Sequence, residues 1–379
     1  MSANRRLRRG PAKVSVRRGE SDPGVRLLGR RIPLIVIAFV LSATIGLTGA
    51  SASLASTGSV FFDNSRNVGA GETFFNPTFT GQDNVGLGRS VMPSLTTGFN
   101  NVAIGTNALD ANTTGFANIA TGTLALGDNT TGSANVATGE GVLFSNTTGS
   151  GNIGTGQVAL ADNTTGNDNI ATGRFAMRFN TTGHANVATG TSALSLNTTG
   201  HDNLATGFNA LTANSTGINN VALGNNALQA NTTANANVAT GRNALVQNTT
   251  GHDNTADGYR ALRQNTTGSD NVALGSGAGQ NLTTGSNNIE IAHSGVAGES
   301  GTIRIGTNAK QTAAFIAGVS GVSVGGQTQP VVINSAGKLG TVTGRSANRL
   351  DATVRRLVEQ VKEQQRQIDR LREQLQRGG

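Results

Sequence analysis

A gapless 17-residue repeat runs from Gly81 to Gly285, and it constrains the fold more than any other feature of the sequence. Each unit follows the pattern G-x-x-N-h-A-x-G-x-x-A-L-x-x-N-T-T, in which h is Val, Ile or Leu. Only Ala234 replaces the leading glycine, and Thr255 alone replaces the apolar h residue. A fixed period without insertions predicts a repeat architecture in which each unit forms one structural turn.

One unit is too small to fold alone. Burying its Val or Ile and its Leu yields about 1.5–3 kcal/mol per side chain, whereas ordering the backbone costs about 1–2 kcal/mol per residue. Strand-sized runs such as 118–121 lie between Gly and Asn corners, and helical repeats need longer units. We therefore predict an all-β repeat solenoid, a parallel β-roll of 17-residue coils, in which Asn and Thr side chains form hydrogen-bond ladders.

The net charge of +8 is confined to residues 1–31, which contain ten Arg or Lys and only Glu20 and Asp22 as acids. The rest of the chain is neutral and poor in aromatic residues, which argues against a nucleic-acid partner. Cysteine is absent, so disulfides and Cys-ligated metals are excluded. No nucleophile–base pair, paired carboxylate or phosphate loop stands out. We predict no enzyme activity, no catalytic or cofactor-binding residues and no cofactor.

Residues 1–55 are predicted to form an export signal or a membrane anchor. A basic segment precedes the apolar run 32–47, and an A-x-A pattern ending at Ala52 marks a cleavage site, with Ala55 as a second one. If the segment is retained, the uncharged stretch 32–55 is long enough to span a bilayer. Both alternatives predict a secreted or cell-surface protein, attached to the membrane only through this segment.

The repeat array is flanked by two further segments. Residues 56–80 hold five of the 13 Phe residues, and we interpret them as an N-terminal cap over the open end of the solenoid. A binding patch is the alternative interpretation of these aromatic residues. Residues 81–292 form the repeat head, and residues 293–344 alternate in a looser β pattern that predicts a β-rich neck.

Residues 345–379 change composition to Arg, Gln, Glu and Leu and carry a heptad pattern. Apolar residues recur at alternating spacings of three and four, with one polar Gln in the seam; they are Leu350, Val354, Leu357, Val361, Gln364, Ile368, Leu371 and Leu375. This pattern predicts a coiled-coil helix. β-Branched residues at a with Leu at d favour a dimer by the heptad rule.

Three histidines occupy the position after the repeat glycine. His184 and His201 belong to adjacent coils, so we expect them within about 5 Å of each other; His252 lies further along, and Asp202 and Asp253 follow two of the three. A metal or pH-sensitive site is one interpretation. Polar turn residues facing water are the favoured alternative, because most copies have Ser, Phe, Asn or Gln there. No metal ligand is assigned.

Two threonine patterns also recur. The Asn-Thr-Thr sequence matches the N-glycosylation acceptor, but its regular recurrence is explained by turn formation. The residue before the corner glycine is Thr in six successive coils, which would form a regular ice- or glycan-binding face; these residues are Thr121, Thr138, Thr155, Thr172, Thr189 and Thr206.

The runs 101–108 (NVAIGTNA) and 220–227 (NVALGNNA) resemble head repeats of YadA-type trimeric autotransporter adhesins. The resemblance covers residues 81–292 and implies a left-handed parallel β-roll that assembles as a homotrimer above a coiled-coil stalk. The 17-residue period is longer than the usual unit of that family. The outer-membrane anchor of the family is missing from this sequence.

The segments 301–306, 315–322 and 337–342 resemble the neck of phage-tail-fibre-like bacterial proteins. In those proteins a self-cleaving intramolecular chaperone domain usually follows, whereas here the chain continues directly into the heptad segment. These resemblances imply a trimeric surface fibre of adhesin type that binds glycan, matrix or cell surfaces. The alternative is a phage-derived or structural spacer rod with no ligand of its own.

Overall fold

The structure is a computed structural model that describes residues 60–307, 310–316, 331–335, 337–341 and 345–377. The chain divides into two compact units after Thr307, and each unit is described by itself. The predictions for residues 1–55 lie outside the described residues, as does part of the predicted neck, 293–344.

Sixteen short strands stack in chain order into one sheet. Their bounds are β1 Val60–Phe62, β2 Val68–Phe74, β3 Val85–Val91, β4 Val102–Ile104, β5 Ile119–Thr121, β6 Val136–Thr138, β7 Ile153–Thr155, β8 Ile170–Thr172, β9 Val187–Thr189, β10 Leu204–Thr206, β11 Val221–Leu223, β12 Val238–Thr240, β13 Thr255–Asp257, β14 Val272–Leu274, β15 Ile289–Ile291 and β16 Ile303–Ile305. β1 pairs antiparallel with β2, whereas all later pairs are parallel.

The register of this sheet equals the sequence period. Val102 pairs with Ile119 and Ile119 with Val136, so each residue lies beside its counterpart 17 positions later. The predicted parallel β-solenoid of 17-residue coils is therefore confirmed. The last step is shorter, since Ile289 pairs with Ile303.

The strand stack extends beyond the predicted repeat range at both ends. Val68 pairs with Val85, so a coil precedes Gly81, and β16 follows residue 292. In this first coil Asn67 takes the place of the repeat asparagine, but phenylalanines replace the Ala-Leu pair. Those replacements hide the coil from a search for the repeat pattern.

The core is narrow and consists of alanine, leucine and asparagine. The strand alanine (Ala120) and the Ala-Leu pair (Ala125 and Leu126) are fully buried, and the same holds in nearly every coil. The h residue, which we expected in the core, lies on the outside; Ile119 is 43% exposed. Strand residues alternate between the two faces, and the narrow space opposite the leucine column holds a small residue, alanine in most coils.

Each coil turns three corners with residues in the left-handed backbone region. In one coil these are Ala117, Leu124 and Leu126, with φ between 52° and 60°. The corner glycine Gly122 has φ 137°, and a Cβ there would overlap the carbonyl group of Gly139 in the next coil. Only glycine tolerates such a close approach of two backbones. This explains why the corner glycine recurs in every copy.

Phenylalanine rings close the N-terminal end of the described solenoid. Phe61 lies 5.9 Å from Phe74 and 6.1 Å from Phe75, and Phe75 lies 5.0 Å from Phe79, all between ring centroids. Phe75 is buried against the first core residues. This packing is the one expected of a cap over an open solenoid end.

The second unit contains a short hairpin and one helix among its described residues. β17 (Val331–Ile333) pairs antiparallel with β18 (Leu339–Thr341). α1 (Arg345–Arg377) covers the predicted heptad segment in a single helix. Its charged residues form pairs one turn apart, such as Lys362 with Glu359 at 2.8 Å.

Candidate functional site

Two asparagine ladders inside the solenoid fix the coils in register. In the first ladder, the backbone N–H and the Nδ2 of Asn118 both donate to Oδ1 of Asn101, at 3.0 and 3.1 Å. Nδ2 of Asn118 also donates to the carbonyl oxygen of Gly132 at 2.9 Å. The same three bonds recur from coil to coil, so the predicted asparagine ladders are present. They hold the outer faces of successive coils in alignment.

The second ladder is formed by the asparagines of the Asn-Thr-Thr turns. Asn129 is fully buried, and its Nδ2 donates to Oδ1 of Asn112 at 2.8 Å and to the carbonyl oxygen of Gly132 at 3.0 Å. The acceptor nitrogen of the glycosylation pattern is therefore inside the folded solenoid and already bonded. These asparagines serve the fold, which agrees with the turn-forming interpretation of the motif.

The strand face is one of three outer faces, and we define it by the first and third residue of each strand. The first residue is apolar in most coils, and the third is Thr in seven of them. Ile153, Ile170 and Val238 are each about two-fifths exposed. The predicted column from Thr121 to Thr206 lies in register along this face. The strand face thus presents one apolar column beside one hydroxyl column.

The Thr face follows the second asparagine and contains the Thr-Thr-Gly turn with the two residues after it. The first Thr is tied to the next coil: Oγ1 of Thr130 donates to the carbonyl oxygen of Thr147 at 2.9 Å. The second Thr, such as Thr131, points to solvent. A column of identical exposed hydroxyl groups therefore runs along this face.

The predicted approach of two histidines occurs on the Thr face. The rings of His184 and His201 stack with their centroids 4.6 Å apart. Nδ1 of His201 lies 2.7 Å from Asp202, and Nδ1 of His252 lies 2.8 Å from Asp253. Within the described part of the chain, no group of three or more His, Cys, Asp or Glu residues is placed to hold a metal ion.

The Leu face consists of the six residues after each corner glycine, for example 123–128, and its charges are segregated. Its N-terminal half carries four carboxylates: Asp110, Asp128, Glu140 and Asp162. Burial and the neighbouring Asp128 carboxylate raise the pKa of Asp110. Its C-terminal half, residues 174–264, carries five arginines on this face and no acid: Arg174, Arg178, Arg242, Arg260 and Arg263.

Three arginines of the Leu face pack on aromatic rings. The guanidinium carbon of Arg174 lies 4.4 Å from the ring centroid of Phe175, and that of Arg178 lies 5.5 Å from Phe175 and 4.7 Å from Phe179. Five coils further on, Arg260 lies 4.8 Å from the ring of Tyr259. Such contacts hold a guanidinium in place without neutralising its charge.

Sequence reasoning missed this arrangement, because it summed the charge of residues 32–379 and did not compare it coil by coil. Arg89, Arg174 and Tyr259 occupy one column, each five coils from the next. Writing the repeats beneath each other would have revealed the segregation. The 17-residue period was the only information needed to make this alignment.

A charged cluster closes the C-terminal end of the solenoid. Glu290 replaces the buried strand alanine, and its Oε2 lies 3.1 Å from Nδ1 of His293. Burial and the neighbouring Glu299 carboxylate raise the pKa of Glu290 to about 7. Burial and Arg304 lower the pKa of His293. Arg304 binds Glu299 at 2.7 Å, and this bond lowers the pKa of Glu299.

The helix α1 exposes its apolar stripe. Val354, Leu357, Val361, Ile368 and Leu371 are all about half exposed or more. No helix among the described residues has the length and apolar character needed to cross a membrane. These five heptad residues lie at the surface of the single chain.

These features define a β-solenoid protein with three regular outer faces and a helix with an exposed apolar stripe. No protein-family model matches the chain, and no curated protein matches it.

Proposed function

We propose that this protein is a non-enzymatic, exported surface fibre of adhesin type that assembles as a homotrimer. The exposed apolar stripe of α1 carries the proposal. A helix with apolar residues at alternating three- and four-residue spacings buries them in a seam with neighbouring helices. Large exposed apolar surfaces mark interaction sites in soluble proteins, so the chain requires partners, and further copies of itself supply the same stripe.

The strand face supports assembly as well. Its apolar column runs along the outside of the solenoid and includes Ile119, Ile153 and Ile170, each about two-fifths exposed. Only Asp257 places a charge on this face. A long column of β-branched side chains with almost no charge is suited to contact between chains, since interface centres are depleted of charged residues.

This architecture favours multivalent binding through many weak sites over binding in one deep pocket. Each coil offers small side chains and few charges, so contacts from one coil are weak. Linking weak sites on one assembly raises apparent affinity by about 10²–10⁴ when several engage together. Glycan, matrix and cell surfaces present repeated groups of this kind. The ligand of the adhesin is therefore sought among repetitive surfaces.

Two measurements test the proposal. Sedimentation of the full chain at micromolar concentration should give a trimer; a stable monomer would refute the assembly, and a dimer would favour the heptad rule. A binding screen against glycans, matrix proteins and cells then tests the adhesin function.

A spacer rod is the second candidate, and the uniformity of the coils favours it. The Leu-face segment 225–230 exposes only small or polar residues, because Leu228 is buried, and such a surface is sufficient for a structural element. An assembled trimer that binds no surface in the screen would establish this alternative and exclude the adhesin function.

A further inference from the structure

The C-terminal half of the Leu face is a strip of positive charge. The parallel register holds it on one side of the solenoid: the backbone N–H of Ser192 donates to the carbonyl oxygen of Arg174 and that of Arg260 to Arg242, both at 3.0 Å. Five coils at about 4.8 Å each separate the cluster at Arg174 from that at Tyr259, which gives about 24 Å. A strip of this length spans several units of an extended polymer.

The arginines of this strip have unused capacity to bind anions. Among the described residues, Arg174, Arg178, Arg242, Arg260 and Arg263 form no ion pair with a carboxylate. The planar guanidinium group binds carboxylate and sulfate-like oxygens through paired hydrogen bonds. Arg174, Arg178 and Arg260 are held against aromatic rings, so their guanidinium groups lose little freedom when a ligand binds.

We infer that this strip binds a polyanionic polysaccharide, one that carries sulfate or carboxylate groups along a chain of sugars. The inference rests on the proposed adhesin function and names its ligand class. Arginine clusters contact the anionic groups at both ends of the strip. Between them, side chains such as Asn209, Thr212, Asn225 and Gln229 offer hydrogen-bond donors and acceptors that match sugar hydroxyls.

One observation favours a polysaccharide over a nucleic acid. Single-stranded nucleic acids bind by stacking bases on free aromatic faces, whereas guanidinium groups lie over the rings of Phe175 and Tyr259. The acidic half of the Leu face, which includes Asp128 and Asp162, repels any polyanion, a nucleic acid as well as a polysaccharide. Binding is thereby limited to residues 174–264.

The test measures the affinity of the full chain for dextran sulfate, for uncharged dextran and for single-stranded DNA of equal length. The first variant combines Arg174→Gln with Arg178→Gln. The second combines Arg242→Gln with Arg260→Gln; the side chains of Arg242 and Arg260 are both exposed. Arg89→Gln is the matched control, because Arg89 occupies the same column as Arg174 in the acidic half. The basic segment 1–31 is common to all variants, so only differences between them are read.

We expect wild-type protein to bind dextran sulfate and not dextran. Each double variant should bind about tenfold more weakly at physiological salt. The slope of log affinity against log salt should fall by about 2, because two fewer counterions are released. Arg89→Gln should bind within about twofold of wild type. Thermal melting of each variant verifies that the solenoid is intact.

Three results would overturn the inference. The variant with Arg242→Gln and Arg260→Gln could bind dextran sulfate as tightly as wild type, or Arg89→Gln could lose as much affinity as the double variants. The third is that single-stranded DNA binds as strongly as dextran sulfate and depends on the same arginines. An assembled trimer that binds cells but does not bind dextran sulfate would overturn only the inference that the ligand is a polyanionic polysaccharide. The proposed function would then stand, because trimer assembly and cell binding are measured separately.

Discussion

Val142 fills the space that an alanine methyl group would occupy at Gly154. In most other coils both positions are alanine, as with Ala159 and Ala171, and both are buried. A Cβ on Gly154 would overlap Cγ1 of Val142. One valine and one glycine thus replace two alanines, with a net gain of one side-chain carbon. The narrow core accepts a larger side chain only where a neighbour gives up its own.

This relationship predicts strong coupling between the two positions. Val142→Ala should destabilise by about 1–3 kcal/mol through the cavity that it leaves, and Gly154→Ala should cost about 1–3 kcal/mol through overpacking. The double variant restores the alanine pair and should unfold close to wild type. Chemical denaturation of all four proteins gives the coupling energy. Additive losses in the double variant would show that the two side chains do not share this space.

The asparagine ladder predicts that adjacent asparagines differ sharply in their effect on stability. Asn220 is buried; its Nδ2 donates to Asn203 and Ala234, and its Oδ1 accepts two bonds from Asn237. Asn220→Ala leaves these buried groups without their hydrogen bonds, and each unsatisfied group lowers the free energy of unfolding by about 1–3 kcal/mol. Denaturant unfolding measures the loss.

Asn219 provides the matched control for that change. It is exposed, and alanine already occupies the same coil position at Ala117 and Ala236 with φ of 54° and 56°. Asn219→Ala should therefore alter stability by less than about 0.5 kcal/mol. Similar losses from both substitutions would contradict the role assigned to the ladder.

Glu290 predicts that the C-terminal end of the solenoid weakens as the pH rises. Its pKa is about 7 in the folded chain, against 4.5 for an ordinary glutamate. Below pH 4.5 both the folded and the unfolded chain hold the proton. Between 4.5 and 7 the unfolded chain releases it first, so the free energy of unfolding falls. His293 opposes this trend, because its lowered pKa makes stability increase with pH up to about 6.5.

Hydrogen exchange of the amides in β15 and β16 measures this local stability. The difference between wild type and Glu290→Gln isolates the carboxyl group and should grow between pH 4.5 and 7, with the variant better protected at pH 8. Asp270→Asn, which changes an exposed carboxylate in the preceding coil, serves as the control. A wild-type profile that Glu290→Gln leaves unchanged would contradict the assignment.

The coil register predicts modular tolerance to deletion. Removing residues 115–165 takes out three whole coils and joins Thr114 to Gly166, so all ladders continue in register. The melting temperature should stay close to that of the parent, because the stability of a solenoid is a sum of local interfaces. Removing only residues 115–122 shifts the asparagines off their ladders and should disrupt the array. Equal tolerance of both deletions would contradict the 17-residue coil.

The exposed stripe of α1 predicts the effect of truncation at Gly344. Without the helix the trimer should dissociate or loosen, because the heptad seam is lost. Binding to a multivalent surface should fall by about 10²–10⁴, while affinity for a soluble monovalent fragment should change little. Sedimentation and surface-binding measurements on one preparation test both statements. Unchanged surface binding by a monomeric truncated protein would exclude avidity as the mechanism.

The sequence by itself determined the coil, its length and the helix. The spacing of Gly81, Gly98 and Gly115 sets the register directly, because each residue pairs with its counterpart one period later. The heptad pattern likewise defines α1. These features are local and periodic, so they can be read without knowing what packs against them.

Only the tertiary structure decided which residues form the core and which form the surface. A strand such as Ile119–Thr121 has two faces, and its pattern permits either to point inward. The leucine column from the adjacent wall fills the interior, so the smaller Ala120 faces in and Ile119 faces out. The same stacking places Arg174 and Arg260 on one strip and buries Glu290 at the end, because the coil brings together residues that are distant in sequence.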